Sequence, residues 1–416
     1  MKRIVLVLSL FFPYLLFSQD YVQVSYGPGY VNQDYYRLSD DANTSIPNVS
    51  WDIAFTAFSD QDAGIFFNEA AGLTQTEMVL FLAPTANFDD PIVPDSLAQR
   101  LLNDEVSWDY GAFNSTRNPD DSLDFGWGTL NPATGVVTGT AVFVVQFRNG
   151  MYRKIQIQSL DQGVYTFKTA GLDGANEVTY TADKADAAGD DFLYFSLTSG
   201  ALLANPPAAW DLLFTRYSTP LVDNTGVTFD FSLSGTLSAP GVQVAQANDV
   251  DPETVQYIDY EDSLSTVPDI IGWDWKIFDS GWILPADRAY FVKTAAGQVW
   301  KIIFVTFDGS STGNAVFSKE QIGTVNALES KGVFASLDVF PNPVSSEATL
   351  AFSIKKTGRV QLLLNNSLGR EVWSGTISAH AGFNVWELPA FEVPAGQYFL
   401  SARFEGEVVT KKLMKF

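Results

Sequence analysis

Apolar and polar positions alternate with a period of two along much of this chain, the pattern of strands with one buried face. Ile155 and Ile157 alternate with Gln156 and Gln158, and Asn149-Gly150 just before them supplies a tight turn. In 299–307 both faces are apolar: Val299, Ile303, Val305 and Phe307 share one, while Trp300, Ile302 and Phe304 share the other. That strand is expected to be more deeply buried than 152–161. Near the carboxy terminus Val360, Leu362 and Leu364 alternate again, and Ser367-Leu368-Gly369 reads as the following turn. Helical periodicity is scarce. The best candidate is "DSLAQRLLND" at 95–104, which opens on an Asp cap. The pattern predicts an all-β protein.

The same strand is written twice. "WDIAFTAFS" at 51–59 and "WDLLFTRYS" at 210–218 share five of nine letters. Leu38 lies 13 residues before Trp51, and Leu197 lies 13 before Trp210, each in an aromatic strand. Downstream, "SWDYGAF" at 107–113 matches "GWDWKIF" at 272–278, and both read as aromatic strands. Gly126-Trp127 and Gly281-Trp282 follow, then a hairpin in which Gly150 and Gly297 each sit four residues before Lys154 and Lys301. Landmarks in one order make an internal duplication with a period near 150 residues, the size of a domain. Within the repeated strand, Trp51, Ile53 and Phe55 are expected on one face, as are Trp210, Leu212 and Phe214. The tryptophans read as packing anchors and the aspartates as turn acceptors, with a ligand-pocket role as the alternative.

Composition narrows the function classes. The 416 residues include 32 Phe, 16 Tyr and 10 Trp, which suits strands. There is no cysteine, so disulfides, thiol nucleophiles and Cys-ligated metals are excluded, as is a lipid-modified cysteine anchor. The formal charge of −23 argues against a nucleic-acid partner. It is unevenly spread. Residues 19–332 carry 15 basic and 41 acidic side chains, a net of −26, whereas 333–416 carry 8 and 7. The break predicts a boundary near 325–335. The acidic loops lack the spacing of a calcium loop, so they read as solvated turns and no metal site is assigned, with weak calcium binding as the alternative. Lys2 and Arg3 followed by an apolar run predict a signal peptide over 1–18. Neither a nucleophile elbow nor metal-spaced histidines point to catalysis, so the expectation is a protein that is not an enzyme.

The last segment resembles the carboxy-terminal sorting domain of type A cargo of the bacterial type IX secretion system. Pro341-Asn342-Pro343, Leu368-Gly369-Arg370, Gly396-x-Tyr398 and Lys411-Lys412-Leu413 carry the resemblance. It implies export by the Sec and type IX machineries, through the periplasm to the cell surface or the medium. Short strands at close spacing there predict a small Ig-like β-sandwich.

The duplicated body is similar to the HmuY family of haem-binding surface proteins. The resemblance rests on Tyr194, Trp210-Asp211-Leu212, Phe214-Thr215-Arg216-Tyr217 and the hairpin from Tyr290 to Lys301. It implies a β-domain that captures haem. Haem iron needs a His, Met, Cys or Tyr donor. The single histidine, His380, lies in the terminal segment, so the candidate ligands singled out in the body are Met78 and Met151, both in the first copy. In the second copy only a tyrosine or lysine could serve, and the tyrosines are too many to single one out. The expected organisation is a signal peptide at 1–18, HmuY-like copies at 21–172 and 173–323, a linker at 324–336 and the sorting domain at 337–416. The expected function is an exported binding protein for haem or another small ligand. The alternative is an adhesin module for a glycan or a host or environmental protein, since exposed aromatic rings suit sugar stacking.

Overall fold

The computed structural model describes residues 20–324 except 60, 61 and 224, and residues 334–415 except 341–343, 345–347, 355, 368, 381, 390, 392 and 406. The expected signal peptide lies outside the described residues. The chain divides into two units, 1–324 and 325–416. Both are all-β, and the helical segments among the described residues are short 3-10 turns.

In chain order the first unit opens with β1 (Asp20–Ser25), β2 (Asn32–Tyr36), β3 (Asn43–Pro47), β4 (Ile53–Thr56), β5 (Ile65–Phe67), β6 (Val79–Leu82) and β7 (Arg100–Leu101). A hairpin of β8 (Gly128–Asn131) and β9 (Val136–Gly139) follows. Next come β10 (Phe143–Gln146), β11 (Tyr152–Asp161), β12 (Val164–Ala170) and β13 (Val178–Asp183). The second half repeats the plan with β14 (Phe192–Ser196), β15 (Ala201–Leu202), β16 (Leu212–Val222), β17 (Thr228–Ser238) and β18 (Gln243–Ala247). It ends with β19 (Ile277–Phe278), β20 (Trp282–Ile283), β21 (Ala289–Lys293), β22 (Gln298–Phe307) and β23 (Asn314–Thr324).

The repeats exchange their leading strands. β2, from the first repeat, pairs with β16, the Trp-Asp strand of the second, with Tyr36 opposite Leu212. β14, from the second repeat, pairs with β4, the Trp-Asp strand of the first, with Phe195 opposite Ile53. The outer sheets follow suit. β1 closes the sheet β1-β23-β22-β21-β18, and β13 extends the sheet β13-β12-β11-β10-β6-β7. These pairings cross the 172/173 border. The two main cores divide the chain accordingly. One buries residues from Ile53 to Phe195, drawn from a continuous stretch. The other joins Val24 to Ile46 with Trp210 to Phe317, together with Trp51, Ala54, Phe66, Phe192 and Tyr194 from the intervening segment.

The strands obey the alternation. Ile155 and Ile157 are fully buried, and β22 is buried continuously from Val299 to Ile302. Irregular register at Val299/Trp300 and Phe304/Thr306 breaks its later alternation, so Val305 faces solvent while Phe304 and Phe307 both reach the core. A bulge that inserts one residue re-aims the side chains beyond it. Both repeated hairpins turn on a glycine in the left-handed region, Gly150 at φ 79° and Gly297 at φ 81°.

Three local expectations are corrected. The 95–104 segment is not a helix: Pro94–Ser96 is a 3-10 turn, and Arg100–Leu101 pairs with β6. Leu101 is buried at that sheet edge, where ladder bonds and burial outweigh a short isolated helix. Residues 107–113 are turn rather than strand, and of 272–278 only Ile277–Phe278 is extended. Trp51 does not share a face with Ile53 and Phe55. Pairing begins at Ile53, so the chain is still turning at Trp51, whose ring enters the other core with Ala54.

The second unit is a two-sheet sandwich. One sheet holds 334–340, 348–354 and 382–388; the other holds 358–366, 371–379, 396–404 and 407–415. Val360, Leu362 and Leu364 fill the space between them with Leu400 and Leu413.

Candidate functional site

A cavity of about 80 Å³ lies where the exchanged strands meet in the first unit. Its aromatic wall is built of matched pairs. Tyr35 on β2 meets Trp210 edge-on at 5.4 Å, and Tyr194 on β14 meets Trp51 edge-on at 5.1 Å. The two tyrosines approach each other at 6.2 Å. Each tyrosine thus packs on the tryptophan of the other repeat. Burial pushes both phenols above their ordinary pKa, so they stay neutral. Trp108 closes one side against Phe66, Phe192 and Trp210, and its indole N–H donates to Ser238 O at 2.7 Å.

The Trp-Asp aspartates hold the exchange in place. Asp211 Oδ2 accepts the Leu38 amide at 2.8 Å, and Asp52 Oδ2 accepts the Leu197 amide at 2.7 Å. Both aspartates are acceptors, as their residue type suggests, but each serves a strand end from the opposite repeat. Burial raises both carboxyls above the usual range, while those amides pull them back.

The opposite end of the cavity is acidic. Glu69 is buried, and its two oxygens accept the amides of Asn103 at 2.6 Å and Ser218 at 3.1 Å. Burial pushes its carboxyl up to about 7. Glu105 accepts the Thr219 hydroxyl at 2.7 Å, and burial raises it too. Consecutive residues of β16 therefore hold the two carboxylates. Asp104 completes this end. Arg216 is the cation on the lining, and it donates to the carbonyls of Ala71 and Ser232. Its counterpart in the first repeat is Ala57, so the two halves of the site differ.

Both tryptophans are buried, at 6% and 9% exposure, and both line the cavity, so the anchor and pocket roles coincide. The structure does not bring the candidate haem ligands together. Met78 is in the core around Ile53 and Phe143, and Met151 is 63% exposed beside its turn; neither lines the cavity. The landmark lysines are buried supports. Lys154 donates to the carbonyls of Phe88 and Asp90, and Lys301 pairs with Glu320 at 3.2 Å. Sequence reasoning missed Glu69, Glu105 and the role of Trp108. The "SWDYGAF" landmark did mark Trp108, whereas no periodicity marks Glu69.

In the second unit Gly369 takes a left-handed φ of 78° in the turn that closes on Asn366. Gly396 opens the strand in which Tyr398 is buried, its hydroxyl donating to Pro394 O at 2.8 Å. Lys411 and Lys412 lie exposed on the last strand before buried Leu413. Pro341, Asn342 and Pro343 lie outside the described residues. Residues 338–415 match the family model described as a secretion system C-terminal sorting domain. This unit is a type IX sorting domain. The protein that carries the sorting domain is thereby exported to the cell surface or beyond, and the type IX machinery is its partner. No curated protein matches the chain. Among solved structures, dimeric latent PorU from Porphyromonas gingivalis aligns at 11% identity and TM-score 0.19, over 67% of this chain and 31% of its own. The native conformation of E. coli alpha-2-macroglobulin aligns at 11% identity and TM-score 0.18, over 92% of this chain and 23% of its own. The chain spans less than a third of either, and neither likeness bears on its fold or function.

Proposed function

We propose that the duplicated body is a non-enzymatic binding protein, displayed or released by its sorting domain, whose ligand enters the aromatic cleft between the repeats. The observation that carries this reading is the cleft wall: Trp51 and Trp210 face one cavity instead of being sealed in separate cores. The order of the landmarks, similar to the HmuY family, supports capture as the role. Passage through the periplasm by way of Sec belongs to the same reading. Size argues for a small occupant. An engineered cavity of about 150 Å³ takes up benzene, so a cavity near 80 Å³ encloses only a few heavy atoms. Neither a haem macrocycle nor a sugar ring fits within it. Ala54→Leu tests the reading, because Leu213 stands at the matching position and both line the cavity. The variant should fill the space, keep the fold and abolish a saturable tryptophan-fluorescence response to small organic ligands. An unchanged response in Ala54→Leu would contradict the site.

A second reading, a protein- or carbohydrate-binding adhesin, is favoured by a separate feature. The β19–β20 hairpin exposes Ile277, Phe278, Trp282 and Ile283 together. Contiguous exposed apolar groups mark interaction surfaces. Loss of adhesion in Phe278→Ser/Trp282→Ser with ligand uptake intact would favour it.

A further inference from the structure

We propose that the cleft takes a small organic cation, an alkylated ammonium group whose charge lies at the carboxylate end and whose alkyl groups lie against the rings. This rests on the reading of the cleft as the binding site and names its ligand class. Three observations converge on it. First, the carboxylates of Glu69, Asp104 and Glu105 line one end, and among the described residues none of them forms an ion pair with a lysine or arginine. Glu69 is buried, Glu105 half-buried and Asp104 exposed. Once ionised, a buried carboxylate without a counter-ion is costly, and a bound cation offsets that cost. Second, buried polar atoms at this end are unspent. Glu105 Oε2 and the hydroxyl of Tyr217, itself on the lining, have no hydrogen-bond partner. Tyr217 is more than nine-tenths buried. Third, the remaining wall is aromatic, with the edge-to-face packing of Trp51, Trp108 and Trp210 leaving ring surface on the cavity. The negative ring faces attract a desolvated cation.

Other ligand classes fit less well. An anion would meet three carboxylates and a single guanidinium whose Nη atoms already donate to Ala71 and Ser232. A neutral apolar molecule would offer no counter-charge to the ionised Glu69 and leave Glu105 Oε2 without a partner. The cavity suits a group the size of trimethylammonium, with any longer substituent extending through the open side.

Choline and its uncharged isostere 3,3-dimethylbutan-1-ol separate charge from shape. Titrating each into the full protein at pH 8, with indole N–H signals followed by NMR, should show saturable choline binding. The isostere should bind roughly tenfold more weakly or worse, since a charge-assisted contact is lost. Glu69→Gln should weaken choline by roughly ten- to a hundredfold and leave the isostere unchanged. Glu105→Gln, nearer the surface, provides the same test if Glu69→Gln does not fold. Equal binding of the two probes, or choline binding that both variants preserve, overturns the cation assignment while the cleft reading stands. Binding of neither probe overturns both.

Discussion

The Asp211 carboxylate accepts the backbone N–H of Leu38 at 2.8 Å, across the whole of one repeat. Its counterpart Asp52 accepts the N–H of Leu197 at 2.7 Å. Each Trp-Asp motif therefore secures the strand that the other repeat contributes. Removing the acceptor strands a buried amide, at a cost of about 1–3 kcal/mol. Asp211→Ala should lower the unfolding free energy by that amount in urea titrations. Asp211→Asn keeps an acceptor and removes a buried charge, so it should stay within about 1 kcal/mol of the parent.

Glu69 gives a pH dependence of definite sign. Its folded-state carboxyl sits near 7, above the ordinary value of 4.5. Between those values the folded chain keeps a proton that the unfolded chain has released. Stability therefore falls as pH rises from about 4.5 to 7, by on the order of 3 kcal/mol. Arg100 acts in the opposite sense by favouring the ionised form. Comparing unfolding free energies at pH 5 and pH 8 should show the fall in the parent and a much smaller one in Glu69→Gln.

Lys276 should show the reverse. Burial lowers its ammonium to about 7, and it donates to Ser234 O with the Trp275 ring 4.4 Å away. Between pH 7 and about 10 the unfolded chain binds the proton that the folded chain has lost, so this residue adds stability as pH rises. Lys276→Met should remove that rise, read from melting temperatures across the window.

The sorting domain predicts a cellular outcome. Deleting 337–416 should leave the body inside the cell envelope, and fractionation with surface labelling reads this directly. Surface delivery that survives the deletion would contradict the assignment.

Much of the fold was legible. The alternation at 155–158 and 360–364, the Gly150 and Gly297 turns and the 13-residue spacing from Leu38 and Leu197 to the tryptophans all correspond to built features. The exchange of strands was not legible, for a physical reason. Tyr35 and Tyr194 belong to near-equivalent strands, so pairing within a repeat and pairing between repeats present the same local chemistry. The acidic end was hidden for another reason. Glu69 sits in the aperiodic stretch "NEAAG", and its burial comes from Ser218, which is remote in sequence. Trp51 departs from the alternation of Ile53 and Phe55 because it precedes the strand start.

The exchange itself is tested most directly by two fragments of nearly equal length, 51–203 and 21–172, unfolded in urea under near-ultraviolet circular dichroism. The first contains every buried residue of the continuous core, Ile53 to Phe195. The second lacks β14, which pairs with one edge of β4, and β13, which pairs with the far edge of β12. Fragment 51–203 should unfold in one cooperative transition, and fragment 21–172 should show none. A cooperative transition in 21–172 with none in 51–203 would contradict the exchanged arrangement.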